Sequence, residues 1–273
     1  MLPDSISRFL PRQAIFLLAF GFAALGHGAE EWAEEALLLY NSASPEINDL
    51  RARSTGNERL RGYAKALGIL YSEPLTQENA LLAKTTFDAL FDANPLDDVG
   101  LASAYYLVRI THRHLDRPNI ETAREAYRVL FESYPRRFFG ELSFLKYLLL
   151  ELYTSESQES PSERFSRLEK LGDKLTIPDM RRGYHRSIGE AYRNHETSEI
   201  KAYEHLKAAY DIDTSVPETQ MDLMLTIAEM AESRGELGVA IAALQKFLTV
   251  ARNDDRRVEV AQRMATLKRQ LLN

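Results

Sequence analysis

The spacing of apolar residues constrains this chain more than any other feature. Beyond residue 29 they recur at intervals of three and four, and the strict alternation that marks a half-buried strand is missing. The chain therefore reads as all-α. Trp32, Ala36, Leu39 and Tyr40 form a first stripe, closed by residues 41–44 ahead of Pro45. Ser160-Pro161-Ser162-Glu163 and Ser215-Val216-Pro217-Glu218 each read as a capping box at a helix start. The serine oxygen there accepts from an amide the helix leaves free, which contributes about 1 kcal/mol. Residues 154–163 (TSESQESPSE) read as a polar loop.

The stripes repeat. Ala83, Phe87 and Leu90 precede Pro95 at the same offsets as Ala123, Tyr127 and Leu130 precede Pro135. The pattern returns as Ala202, Leu206, Ala209 and as Ala240, Leu244, Phe247. A small residue lets two helices approach, and the larger ones four and seven positions later fill the groove beyond it. Companion segments read Leu67-Gly68-x-x-Tyr71, Ile188-Gly189-x-x-Tyr192 and Ile227-Ala228-x-x-Ala231.

These residues resemble the tetratricopeptide repeat, whose pattern is W-x2-L-G-x2-Y, then A-x3-F, then P. The resemblance covers residues 58–254 and is fullest from Met221 to Asp254, where Met224, Ile227, Ala228, Gly235, Ala240 and Leu244 fit a unit without a gap. The family's tryptophan is absent from the array, and the alanines at 83, 123, 202 and 240 step by 40, a double 79, and 38. The double step holds a divergent unit, with helices near 138–153 and 161–176 and Ser166 in the alanine's place. The resemblance implies a right-handed α-solenoid of about five helix-turn-helix repeats. Residues 29–57 are expected to form an N-terminal helical cap, and residues 255–273 a C-terminal capping helix. In that last helix Val258, Ala261, Ala265 and Leu271 should face the stack, and Arg257, Gln262, Arg263, Lys268 and Arg269 the solvent.

The N-terminal 28 residues differ in kind. Arg8 and Arg12 precede an apolar run from Ala14 to Leu25, followed by Gly26, Gly28 and Ala29, the three-part plan of a secretory signal peptide. The run of about twelve residues falls short of the roughly 20 that a spanning helix needs, which favours a cleaved signal over the alternative of an uncleaved anchor. The expected address is the periplasm or the exterior, with no membrane insertion after cleavage.

Charge and motifs narrow the chemistry. The 34 basic against 40 acidic residues carry no basic block, so nucleic acid is not an expected partner. With no cysteine, disulfides, thiolate zinc sites and cysteine nucleophiles are excluded. On a helix His112 and His114 diverge by about 200° and cannot share an ion. Asp211-x-Asp213-x-Ser215 has Val216 where a calcium loop requires glycine. Ser143-x-x-Lys146 and Ser198-x-x-Lys201 have Ser-Lys spacing without the companion SDN or KTG motifs. No catalytic residue, metal ligand or cofactor site is assigned. In tetratricopeptide-like arrays the first helices line a groove, so the candidate contacts are Arg186, Glu190, Arg193 and Asn194, with Tyr105, Arg109, His112 and Arg113 at the same spacing earlier. Arginine grips a carboxylate in two parallel hydrogen bonds, which suits an acidic peptide or a chain terminus. The expected role is a non-catalytic scaffold for a protein or peptide partner. The alternatives are a glycan or small-molecule binder, or a subunit of an enzyme complex.

Overall fold

The computed structural model describes residues 56–154, 158–212 and 220–272. The expected signal peptide, nearly all of the N-terminal cap and the second capping box lie outside these residues. Eleven helices and no strand occur among the described residues. The chain divides into two compact units, Met1–Ser155 and Glu156–Asn273. No described helix is long and apolar enough to cross a membrane.

The first unit holds α1 (Glu58–Leu70), α2 (Gln77–Ala93), α3 (Asp98–Arg113), α4 (Ile120–Ser133) and α5 (Phe138–Tyr153). Side-chain oxygens of Asn57, Thr76, Asp97 and Asn119 each accept from a backbone amide in the first turn of α1, α2, α3 and α4, where the helix itself supplies no acceptor. The central helix is α3, which packs against α1, α2, α4 and α5. That explains why its sequence is apolar nearly all round: every residue from Val99 to Val108 is buried. Its tyrosines fill the core, with the Tyr106 ring 5.4 Å from Phe87 and 6.0 Å from Tyr63, and Tyr105 5.8 Å from Tyr127.

The repeat in this unit runs deeper than the alanine offsets. Pro95 and Pro135 end the turns, and five residues later Gly100 and Gly140 sit on the carbonyls of Asn94 and Tyr134, where an added Cβ would stand 2.0 Å from the oxygen. Three residues further, buried Ser103 and Ser143 donate to Val99 O and Phe139 O at 2.7 and 2.6 Å.

The second unit holds α6 (Pro161–Gly172), α7 (Pro178–Asn194), α8 (Glu199–Asp211), α9 (Met221–Ser233), α10 (Leu237–Val250) and α11 (Arg257–Leu272), each packed on the next. The capping box at Ser160 forms as expected: Ser160 Oγ accepts from Glu163 N, and the Glu163 carboxylate accepts from Ser160 N at 3.0 Å. Gly189 lets α7 meet α8, since a Cβ there would stand 2.7 Å from Leu206 Cγ. After α7 and α9 the chain turns through left-handed residues, Glu196 (φ 51°) and Gly235 (φ 74°). Both positions end a helix by reversing the backbone.

Three expectations change. The boundary at Ser155 falls between α5 and α6, the two helices joined above as one divergent repeat. Within α6 the buried residues are Phe165, Leu168 and Gly172, while Ser166 is exposed and is no packing position. The register is set by the larger side chains. In α11 the buried stripe is Val260 and Leu267, so Ala261 and Ala265 are exposed and Val258 and Leu271 stand 69 % and 58 % exposed. The helix is rotated because only one narrow face meets α10. By contrast Ala83, Ala123, Ala202, Ala228 and Ala240 are all fully buried, as are Leu67 and Phe87. Gly68 and Tyr71 are half-buried.

Candidate functional site

The most elaborate polar constellation among the described residues lies in the second unit, where α6, α7 and α8 surround an open cleft of about 730 Å³. Its centre is Glu169, near the end of α6. Lys201 Nζ, at the start of α8, donates to both carboxylate oxygens at 2.8 and 3.0 Å. Tyr192 OH, late in α7, donates to Oε1 at 2.7 Å, and His205 Nε2, one turn beyond Lys201, lies 3.2 Å from the same oxygen. Tyr184 OH donates to the Glu169 main-chain carbonyl at 3.2 Å. Burial alone would raise the Glu169 carboxyl, but the hydrogen bonds from Lys201 and Tyr192 and the lysine charge outweigh it and hold it below the usual carboxylate range. Glu169 thus stands ionised and ties three helices together.

Proton positions follow. An ionised carboxylate only accepts, so His205 carries its hydrogen on Nε2. Burial lowers the His205 pKa against the pull of Glu169. The ring is therefore neutral at neutral pH and its Nδ1 is a bare lone pair. His185 Nδ1 lies 3.0 Å from that atom and donates to it. Burial, with His205 and Arg181 nearby and Asp173 opposing, lowers the His185 pKa to about 4. Its Nε2 is left as a second acceptor. Lys170, Arg181, Asp173 and Glu204 complete the charged lining.

The residues expected to form a groove are placed elsewhere. Arg186 and Glu190 pair with each other at 2.8 Å, and Arg193 and Asn194 are exposed. At about 100° per residue this set and the cleft-facing Tyr184, His185 and Tyr192 centre on roughly opposite sides of α7. The other set belongs to the first unit. Tyr105 is fully buried between Tyr106, Tyr127 and Phe139, so it is not a surface contact. Arg109 is half-buried, and Arg113 is exposed. His112 and His114 turn to different tyrosines, Tyr127 and Tyr71, and burial with the charges of Arg109 and Arg113 lowers the His112 pKa to about 4.

The Ser-Lys spacings have other uses: Ser143 donates back to Phe139 O within its own helix, and Ser198 accepts from Lys201 N as the N-cap of α8. What the sequence reading missed is the Glu169 constellation. Its other members lie 15 to 36 residues along the chain from Glu169. The signals available were Lys201 and His205, and Arg181 and His185, each one turn apart on a single face.

No family model, curated protein or solved structure matches this chain. Fold and site together define an all-helical protein of two units with a histidine-bearing polar cleft in the second.

Proposed function

We propose that this chain is an exported, non-catalytic helical-repeat scaffold of tetratricopeptide-like design that binds a protein or peptide partner. One observation carries the reading: at all four second-helix positions the small residue, Ala83, Ala123, Ala202 or Ala240, is 0 % exposed. A repeat stack needs that, because each pair of helices must approach closely for neighbouring pairs to bury a continuous core. The contacts of α3 with both α1 and α5 are those of a row of alternate helices. The step from repeat to binding rests on analogy between arrays of this kind. The face that carries half-buried Arg186 and Glu190 and exposed Arg193 and Asn194 is the contact surface, and the first 28 residues direct export.

In-cell crosslinking with mass spectrometry, comparing wild type with Arg186→Glu/Arg193→Glu, tests both parts. A partner lost in a folded double mutant supports the groove, and a mature terminus near Gly28 or Ala29 supports export. A partner retained by the double mutant removes the groove, and the lack of any reproducible partner removes the scaffold reading. A second reading, an enzyme or a subunit of one, is favoured by a specific observation: His185, His205 and Glu169 converge on the cleft.

A further inference from the structure

We propose that His185 and His205 bind a transition-metal ion of the nickel–copper–zinc group through their two Nδ1 atoms, at the floor of the cleft in the second unit. The two atoms are 3.0 Å apart, on rings whose centroids lie 5.2 Å apart and whose planes meet at 41°. Two imidazole nitrogens on one tetrahedral ion, at bonds of about 2.0–2.1 Å, stand roughly 3.3–3.4 Å from each other. A separation of a few tenths of an ångström and a tilt of each ring convert the shared proton's place into an ion's place. Each ring comes from one of two helices packed along their length, α7 and α8, so the pair is held by the fold rather than by a loop.

The surroundings match what a metal-bound imidazole requires. His205 turns its other nitrogen to the Glu169 carboxylate at 3.2 Å, the hydrogen bond that orients a ligating histidine and raises its basicity. Tyr192 and Lys201 hold that carboxylate in turn. Both imidazoles are neutral at neutral pH, so no proton has to be expelled; the one on His185 Nδ1 moves to its Nε2. Imidazole selects nickel, copper and zinc over calcium or magnesium, which take oxygen. Asp173 and Glu204 line the same cleft and offset the ion's charge, against Arg181 and Lys170. Among the described residues no three His, Cys, Asp or Glu side chains are placed to share an ion. Water therefore fills the remaining positions, and the open cleft admits both ion and water. The site is independent of the partner surface on the opposite side of α7.

The test is titration of the full chain with zinc by calorimetry, together with pulsed electron paramagnetic resonance of the copper-loaded protein. One ion per chain is expected, with two coordinated imidazoles in the copper spectrum. His185→Ala and His205→Ala should each weaken zinc binding at least tenfold and leave one imidazole. Glu169→Gln should weaken it about 10-fold with both imidazoles kept, and the His112→Ala/His114→Ala double variant should leave both readouts unchanged. Circular dichroism establishes that each variant is folded. If His185→Ala and His205→Ala do not fold, the copper spectrum of the His112→Ala/His114→Ala protein decides, with two imidazoles expected. The proposal is overturned by wild-type protein that takes up no zinc at a saturable site, by folded His185→Ala and His205→Ala variants that bind as wild type does, or by fewer than two imidazoles on copper in that double variant.

Discussion

The two units solve one problem, how to bring successive helices close, with different tolerance for spacing. In the first, Pro95 and Pro135, Gly100 and Gly140, and Ser103 and Ser143 all recur at a step of 40. In the second, Ala202 and Ala240 are 38 apart while Glu196 and Gly235 are 39 apart. The glycines of the first unit lie against a main-chain carbonyl, which cannot move without taking the preceding turn with it. Gly189 in the second unit is less tightly placed: an added Cβ would stand 2.7 Å from Leu206 Cγ, on a side chain with other rotamers, and 3.0 Å from Leu206 N. The 2.0 Å approach to a carbonyl fixes the spacing more tightly than the looser approach at Gly189. Polar ties join helices in both units, Arg59 to Asp97 in the first and those on Glu169 in the second.

The largest effect that would break this contrast is at the backbone contacts. Gly100→Ala and Gly140→Ala should each cost roughly 3 kcal/mol or more, because the new methyl overlaps a carbonyl oxygen with nowhere to go. Gly238→Ala, in α10 with open space around it, should instead stabilise by about 0.5–1 kcal/mol. Urea unfolding of the three variants reads both signs. Equal costs at Gly100 and Gly238 would remove the distinction.

Next in size is the packing of the second unit. Ala240→Leu should overpack the α9–α10 crossing and cost roughly 1–3 kcal/mol. Removing the tie at Glu169 with Glu169→Ala leaves the half-buried Tyr192 hydroxyl and Lys201 ammonium without their acceptor, at a cost of about 1–3 kcal/mol. Hydrogen exchange should show faster opening in α6, α7 and α8 and unchanged protection in α1–α5. Uniform loosening of both units would mean that Glu169 does not act locally.

A smaller effect depends on pH and is expected in both units, through His112 in the first and His185 in the second. Folded His112 titrates near pH 4, against about 6.5 when unfolded, so between those values the unfolded chain binds more protons. The stability this contributes is whole above about pH 6.5 and is lost as the pH falls towards 4. His112→Gln should flatten that slope in first-unit amides, as followed by hydrogen exchange across pH 4–7. An unchanged slope would place the acid sensitivity elsewhere. Smallest of all, Glu196→Gly should raise stability by about 0.5–1 kcal/mol by relieving a left-handed glutamate, read as a higher melting temperature.

Much of the architecture was legible along the chain. The capping box at Ser160, the helix ends ahead of Pro95 and Pro135, and the buried alanines follow from rules acting within a few residues, so the sequence displays them directly. Tyr105 was misplaced for the opposite reason. A helix surrounded by α1, α2, α4 and α5 has no solvent face at that position, and helical spacing alone does not reveal how many neighbours a helix has. In α11, Val258 and Leu271 looked like core because they are apolar, yet the helix meets its neighbour through Val260 and Leu267.

By itself the sequence determined the secondary structure, the turns and the recurrence of small residues, since helix propensity, capping and period are local properties. Only the tertiary structure decided where the unit boundary falls, which face of α11 is buried, and that Glu169, His185, Tyr192, Lys201 and His205 share one cleft. Those depend on the rotation and neighbours of whole helices. That is set by the sum of packing across many residues distant in the chain, and no single stretch of sequence carries it.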